Sequence, residues 1–420
     1  ASDVYKRQSN SPPSSVSISN TSVLEGTQGA TIGSLTTVDP DGGSFSYTIS
    51  GADSSSFTIS GSSLRLASDF AADYETQTDY SISIRSTDTG GLSVSDSFTV
   101  SVIDAIEGRV VDAPLRGSNV FIDLDGDLVQ DSDEPSGTSD ANGFFAVENL
   151  AGSGSPKIIS IGGTDTKTGK VLPNLALMSD LPSDASKSMA VTPITTLVAV
   201  AETPAAKAKV LTALGVTGTV EELLTTDNWA EAEAGDASAK ELQRKNQQVG
   251  LILQTAESLV DSQAATKATD VTQAVAKQLV EETSSSDSVD LTQADTITQV
   301  LTDSVAEVAP SAAVSAEAIA AVSNSVSQVN TLVADTSLDP TGDASAEILE
   351  AAQTTLQSSA EALVAGTVDV AGFTSATDSK NLFDGSTVLA ALPDADGDGL
   401  SNAIDPDDDN DGAVSYTHLR

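Results

Sequence analysis

The spacing of apolar residues changes near residue 184, and this change constrains the fold more than any other feature of the chain. Before that point, apolar and polar residues alternate over short runs, as in residues 45–49, 80–84 and 98–102. Such alternation, bounded by Gly, Asp, Ser and Pro clusters, is typical of half-buried β-strands. Beyond it, apolar residues recur at steps of three, four and seven, as in residues 242–260, which predicts amphipathic helices.

The two patterns predict a multidomain chain, because 420 residues exceed what one core organises. We predict two antiparallel β-sandwiches, then an α-helical region with a core of small side chains, then a calcium-binding Asp-rich tail. The helical region is either a compact bundle or a stalk. The predicted segments are 1–11 (end sequence and linker), 12–105 (first sandwich), 106–183 (second sandwich), 184–392 (Ala/Thr/Ser-rich helices), 393–413 (Asp-rich tail) and 414–420 (end sequence). Both end sequences resemble translated sequencing adapters, so we expect the native protein to continue beyond them.

The composition excludes several classes of function. There are 61 acidic and 19 basic residues, a formal charge of −42, which repels nucleic acid and attracts divalent cations. The chain has no cysteine, and its one histidine is His418, so the commonest general base and the commonest transition-metal ligands are missing. We therefore predict a protein that is not an enzyme. No apolar run reaches the roughly 18 residues of a membrane span, so we expect no direct membrane insertion.

The Asp-rich tail carries the strongest chemical signal. Residues 394–405 place oxygen-bearing side chains at positions 1, 3, 5, 9 and 12 of a twelve-residue loop, with Gly399 at position 6, which is the spacing that surrounds Ca²⁺ with oxygens. The predicted ligands are Asp394, Asp396, Asp398, Asn402 and Asp405, followed by Asp407, Asp409 and Asp411. The bland alternative is a solvated acidic linker. The segment resembles a thrombospondin type 3 calcium repeat, although Ser401 replaces the hydrophobic residue usual at position 8 of an EF-hand.

Acidic residues also stand in the turns of the first predicted sandwich, around residues 25–26, 38–42, 73–75 and 87–90. With the strand pattern, they make residues 12–104 resemble a bacterial cadherin repeat. The resemblance implies calcium ligands at Glu25, Asp73 and Glu75 at one end, at Asp39, Asp41 and Asp88 facing a preceding repeat, and at Asp104 where the linker begins. Residues 105–107 (Ala-Ile-Glu) replace the family's usual Asn-Asp-Asn, which weakens the first of these sites. Taken singly, each acid is also typical of a solvated turn.

A third acidic run lies in the second predicted sandwich. Its acids occupy loop positions 1, 3, 5, 9 and 12: Asp123, Asp125, Asp127, Asp131 and Glu134. Leu128 stands at position 6, where an EF-hand needs glycine, so the run predicts either a distorted metal loop or an acidic hairpin. The surrounding residues 108–112 and 138–144 resemble transthyretin-like sandwiches of bacterial surface proteins, the Cna B-type and carboxypeptidase-regulatory-like modules, which serve as stalks and spacers.

These features together predict an extracellular, calcium-binding surface protein, either secreted or associated with an outer membrane. We expect Ca²⁺ to stiffen junctions between β-domains, and the partner to be a second copy, a surface protein or a glycan of a neighbouring or host cell. The alternative is a non-catalytic accessory region of a secreted hydrolase whose catalytic domain lies elsewhere.

Overall fold

A computed structural model describes residues 10–149, 156–184, 187–260, 268–310 and 314–383. The contacts divide these residues into two compact units. The first holds residues 10–107 and 146–149, and the second holds the other described residues. The Asp-rich tail with its eight predicted ligands lies outside the described residues, as do both end sequences.

The first unit is a β-sandwich of eight strands. They are β1 (Ser15–Ile18), β2 (Ser22–Leu24), β3 (Thr31–Val38), β4 (Ser46–Ser50), β5 (Phe57–Ser60), β6 (Ser63–Leu66), β7 (Asp79–Thr87) and β8 (Ser93–Ile103). One sheet has the order β1-β3-β6-β5 and the other the order β2-β8-β7-β4. Every second residue of β7 is buried, as at Ile82 and Ile84, and these side chains share a core with Leu64 and Leu66 of the other sheet. The predicted alternation therefore forms this core.

One strand pair of the first unit departs from the predicted antiparallel arrangement. Strand β2 pairs with β8 in parallel, with Leu24 opposite Ile103. Parallel strands end at the same edge of a sheet, so the residues that follow β2 and β8 emerge side by side. This geometry determines where Glu25 and Asp104 lie.

The second unit contains the later strands and the helices. The strands are β9 (Ala105–Val110), which begins in the first unit, β10 (Leu115–Arg116), β11 (Asn119–Asp123), β12 (Ser136–Thr138), β13 (Phe144–Glu148), which ends in the first unit, β14 (Lys157–Ile161), β15 (Thr164–Asp165), β16 (Ala176–Asp180) and β17 (Met189–Val191). The helices are α1 (Pro193–Val200), α2 (Pro204–Leu214), α3 (Val220–Thr225), α4 (Asn228–Glu233), α5 (Ala237–Leu259), α6 (Ala268–Ser285), α7 (Ala294–Val308), α8 (Ala316–Val333), α9 (Asp343–Val364), α10 (Val370–Ala376) and α11 (Ser379–Leu382).

The second β segment differs from the predicted antiparallel β-sandwich, because helices cover one of its sheets. An antiparallel sheet of order β12-β11-β14-β16 packs against α1, with Phe121, Ile159 and Met178 contacting Ala199. Consecutive residues of β11 and β16 are buried, so both faces of the sheet are covered, and the continuous apolar runs in the sequence reflect this. Strand β17 pairs in parallel with β9, and the first helix begins at Pro193, beyond the predicted change at residue 184.

Helix α5 is the centre of the helical part and packs against α1, α4, α6, α7, α8 and α9. Several of its buried side chains are amides that bond to backbone groups outside the helix. The bonds are Gln243 Nε2 to the Asp112 carbonyl (2.7 Å), Gln247 Nε2 to the Pro340 carbonyl (2.8 Å), Gln248 Nε2 to the Asn330 carbonyl (2.9 Å) and the Ile194 N–H to Asn246 Oδ1 (3.0 Å). Such fully buried bonds fix the neighbours of α5 in a core that has few aromatic side chains. None of the described helices is long and apolar enough to cross a membrane.

Gly250 lets the buried carboxyl group of Asp112 lie against α5. A Cβ atom at position 250 would stand 2.3 Å from Asp112 Oδ1, and Gln254 Nε2 holds the other carboxyl oxygen at 2.8 Å. In an ordinary helix interior, replacing glycine by alanine stabilises by about 1 kcal/mol. Here we expect Gly250→Ala to lower the free energy of unfolding by about 2 kcal/mol, because the added methyl group overpacks the site. Urea denaturation measures this.

The matched control for Gly250→Ala is the same substitution in an Asp112→Ala background, where the methyl group has room. There the glycine replacement is expected to stabilise the chain. A stabilising effect of Gly250→Ala in the unaltered chain would contradict the described packing.

Candidate metal centre

Two groups of acids in the described part of the chain bring ligand oxygens together. In each group, one oxygen from each of three residues lies within 4.8 Å of the others. The first group, in the first unit, is Glu25, Glu75 and Asp104. Glu25 directly follows β2 and Asp104 directly follows β8, so the parallel pairing of these strands places them side by side. Glu75 comes from the turn that precedes β7.

Two backbone N–H groups hold the Glu25 carboxylate in place. Its Oε2 accepts a hydrogen bond from the Tyr74 N–H and its Oε1 accepts one from the Ala105 N–H, both at 2.6 Å. The residue is only 4% exposed. Glu25 therefore ties together the turn that carries Glu75 and the segment that carries Asp104, and it orders the group before any ion binds.

The group concentrates negative charge without a compensating cation. Burial raises the pKa of the Glu25 carboxyl to about 6, against the two backbone hydrogen bonds, and the charges of Glu75 and Glu107 raise it further. None of the ion pairs in the described part of the chain includes these residues. Closely spaced carboxylates raise one another's pKa, and a bound cation reverses that effect. An all-carboxylate donor set suits a hard divalent cation such as Ca²⁺.

Glu107 adds a fourth carboxylate, which the sequence reasoning missed. Its Oε1 lies 1.8 Å from where a Cβ atom of Gly26 would stand, so only glycine, with φ of +81°, admits it there. Burial raises the pKa of the Glu107 carboxyl, and so do the nearby charges of Glu75 and Asp73. The predicted weakening of the site by residues 105–107 stays a prediction, and the same residues place an acid beside the site. The available signal was Glu107 itself, whose side chain is longer than that of the asparagine usual at this position of the family.

Asp73 lies near the first group but is not a member of it. Both of its oxygens are engaged by Thr76, one by the backbone N–H and one by the hydroxyl group, each at 2.8 Å. This capping of its own turn fixes the loop that carries Glu75. The role predicted for Asp73 as a ligand stays a prediction.

The three acids predicted to face a preceding repeat do not form such a group in the described part of the chain. Asp88 Oδ2 accepts from Asn10 Nδ2 at 2.9 Å and its Oδ1 from the Leu92 N–H at 2.9 Å. Asp39 Oδ1 accepts from the Asp41 N–H at 2.7 Å, and Asp39 Oδ2 is buried without a hydrogen-bond partner among the described residues. Metal binding by these three residues also stays a prediction.

The second group is Asp123, Asp125 and Glu134, in the loop between β11 and β12 of the second unit. Asp123 and Glu134 are buried, and backbone N–H groups of the same loop hold their oxygens. Gly126 donates to Asp123 Oδ1 (2.8 Å), and Leu124 donates to Glu134 Oε1 (2.7 Å). The acids at loop positions 1, 3 and 12 therefore converge, and those at positions 5 and 9, Asp127 and Asp131, are not in the group.

Leu128 shows how this loop turns. Its φ is +60°, the left-handed conformation that the sixth position of a calcium loop adopts, and it is the one non-glycine residue with positive φ in the described part of the chain. Its side chain packs against the core around Phe121, Ile159 and Met178. Packing of this side chain thus holds Leu128 in a left-handed backbone conformation that usually favours glycine. Both readings of this run, a distorted metal loop and an acidic hairpin, stay predictions.

Comparison with known proteins finds resemblances among solved structures only. The first two cadherin domains of human protocadherin-24 align at 18% identity with a TM-score of 0.20, covering 41% of this chain and 97% of that one. Cadherin domains 3–6 of protocadherin gamma B2 align at 14% identity with a TM-score of 0.19, covering 40% and 45%. No family model and no curated protein matches the chain.

Proposed function

We propose that this chain is an extracellular calcium-binding surface protein that acts in adhesion or as a structural spacer. The observation that carries the proposal is the convergence of Glu25, Glu75 and Asp104 at one end of a β-sandwich. A Ca²⁺ ion there joins the end of β2, the turn before β7 and the link between β8 and β9. These three segments are also linked by the pairing of β2 with β8 and by the two hydrogen bonds to Glu25.

The acids of both groups are assigned a ligand role and not a catalytic one. Backbone N–H groups in turns and at strand ends hold oxygens of Glu25, Asp123 and Glu134, which orders these carboxylates before an ion binds. The resemblance of residues 12–104 to a cadherin repeat supports the same role for the first group. Calcium then stiffens the end of the sandwich, and the surface of the sandwich is free to bind a second copy, a surface protein or a glycan.

The second group predicts an additional, separable calcium site. Replacing Asp123 by asparagine removes a charge from it while leaving an oxygen that can accept the hydrogen bond from Gly126. We expect isothermal titration calorimetry of Asp123→Asn to show one fewer bound Ca²⁺ than the unaltered chain. The Glu75→Gln variant should lose a different ion, so the double variant should lose both. Equal stoichiometry in the unaltered chain and Asp123→Asn would reduce this loop to an acidic hairpin.

Adhesion itself is tested with beads that carry the chain. The proposal predicts that beads coated with the chain aggregate with one another, or bind to cells or glycan-coated surfaces, in Ca²⁺ and disperse in a chelator. Beads coated with the Glu75→Gln variant, whose first site is weakened, serve as the matched control. Binding that is the same with Ca²⁺ and with chelator would contradict a calcium-dependent adhesive role.

A further inference from the structure

We propose that a cavity in the second unit binds a short aliphatic ammonium ion. The cavity is lined by the last turn of α5, by α9 and by residues 171–175, and its volume is about 130 Å³. A cavity of roughly 150 Å³ holds one benzene molecule, so this one admits a ligand of about six non-hydrogen atoms. The proposal is independent of the calcium sites, none of whose residues line the cavity.

The two sides of the cavity differ in chemistry. Residues 171–175 form an apolar side, on which Leu172 and Leu175 are buried and Val171 stands 65% exposed. The opposite side is polar, with Gln254, Glu257 and Ser258 from α5 and Gln357 and Glu361 from α9. A ligand that fits both sides has a polar head and a short hydrocarbon tail.

The charge of the ligand's head group follows from the acidic residues of the cavity and from a buried oxygen that lacks a hydrogen-bond donor. Glu257 and Glu361 are the charged residues that line the cavity, and both are acids. Glu257 Oε1 is fully buried and accepts no hydrogen bond from any described residue. A buried acceptor without a donor is costly, and a charged donor is its strongest partner. An ammonium group supplies that donor and also neutralises the carboxylate.

The surroundings of Glu257 make binding dependent on pH. Burial raises the pKa of the Glu257 carboxyl to about 8, so in the free chain this group carries a proton at pH 7. Beside Glu257, the other cavity-lining residues of α5 and those of segment 171–175 are uncharged. Glu361 lines the same cavity from α9, and the buried Lys170 ammonium, just before the apolar side and outside the cavity lining, interacts with Glu361. An ammonium ion favours the ionised carboxylate, so binding at pH 7 releases a proton from Glu257.

The test is calorimetric titration of the full chain with propylammonium chloride in two buffers of different ionisation enthalpy. We expect saturable binding in the range of roughly 1 mM, release of close to one proton at about pH 7, and affinity that rises with pH up to about 8. The neutral probe 1-propanol, of nearly the same size, should bind at least about tenfold more weakly.

The variant Glu257→Gln should lose at least about tenfold in propylammonium affinity and its proton release, while its melting temperature stays equal or rises, because a buried ionisable group is removed. The matched control is Glu281→Gln on the exposed surface of α6, which should bind as the unaltered chain does. The proposal is overturned if 1-propanol binds as well as propylammonium, if Glu257→Gln binds unchanged, or if no saturation occurs up to about 100 mM.

Discussion

Saturating Ca²⁺ will raise the melting temperature of the first unit by about 10 °C. A ligand at one hundred times its dissociation constant stabilises a folded domain by about 2.7 kcal/mol, and a domain of this size gains several degrees per kcal/mol. Tyrosine signals report the first unit, because Tyr80 lies in its core, and Trp229, the one tryptophan of the chain, reports the second. The full chain can therefore be melted with both units followed separately.

The Glu75→Gln variant should show a smaller rise in melting temperature with Ca²⁺ than the unaltered chain does. Glu75 is exposed and takes part in no hydrogen bond or ion pair within the described residues, and its charge raises the pKa of Glu25 and of Glu107. Without Ca²⁺, the variant should therefore melt slightly higher than the unaltered chain, because repulsion is relieved. With Ca²⁺, it should melt lower, because a ligand is lost.

The control for Glu75→Gln is Asp69→Asn, an exposed acid of the same unit outside the group. It removes the same charge and should leave the calcium-induced rise in melting temperature unchanged. A loss of this rise in both variants would mean that Ca²⁺ acts only through the net charge of the chain.

Replacing Asp112 by asparagine will stabilise the second unit at alkaline pH by on the order of 4 kcal/mol. Burial raises the pKa of the Asp112 carboxyl to about 8, with the charge of Asp165 adding to the rise and Gln254 and Lys170 opposing it. Asparagine keeps an acceptor for Gln254 and cannot ionise. Urea denaturation at about pH 4 and about pH 9 measures the difference.

The sign of the pH dependence follows from linkage. The unfolded chain releases the Asp112 proton near pH 4 and the folded chain near pH 8, so stability from this group is full below pH 4 and is lost as pH rises to about 8. Lys170 acts oppositely, because burial lowers the pKa of its ammonium group to about 8, so its penalty is full below that value and falls as pH rises toward the usual pKa of 10.5. The asparagine variant should therefore match the unaltered chain at about pH 4 and exceed it at about pH 9. The exposed substitution Glu202→Gln should change neither, and an Asp112→Asn variant that gains nothing at alkaline pH would contradict the burial of a protonated carboxyl.

The sequence predicts well whatever depends on local pattern. The alternation in residues 80–84 locates the buried face of β7, and the steps of three, four and seven in residues 242–260 locate buried residues of α5 such as Val249, Ile252 and Ala256. Strand pairing was less accessible, because nothing local distinguishes a parallel β2–β8 pair from an antiparallel one. Yet this pair is what brings Glu25 to Asp104.

The remaining differences have a common physical cause, which is contact between residues far apart in sequence. Helix α1 covers the sheet of the second unit. The uninterrupted apolar residues of β11 indicate a strand that is buried on both faces, although the sequence pattern predicts a sandwich there. The Asp112 carboxyl group is buried against Gly250 of α5, which lies far from it in sequence. Leu128 adopts the glycine conformation because its side chain reaches the core, a compensation that loop spacing alone cannot reveal.

Amide hydrogen exchange with and without Ca²⁺, at constant ionic strength, tests the central claim most directly. The account predicts slower exchange with Ca²⁺ at the Tyr74 and Ala105 amides, which bond to Glu25, and at the Leu124 and Asp131 amides, which bond to Glu134. Mg²⁺ at the same concentration should protect them less, because it sheds its water reluctantly. Equal protection by both ions, or protection spread evenly over both units, would contradict calcium binding at these two groups of acids.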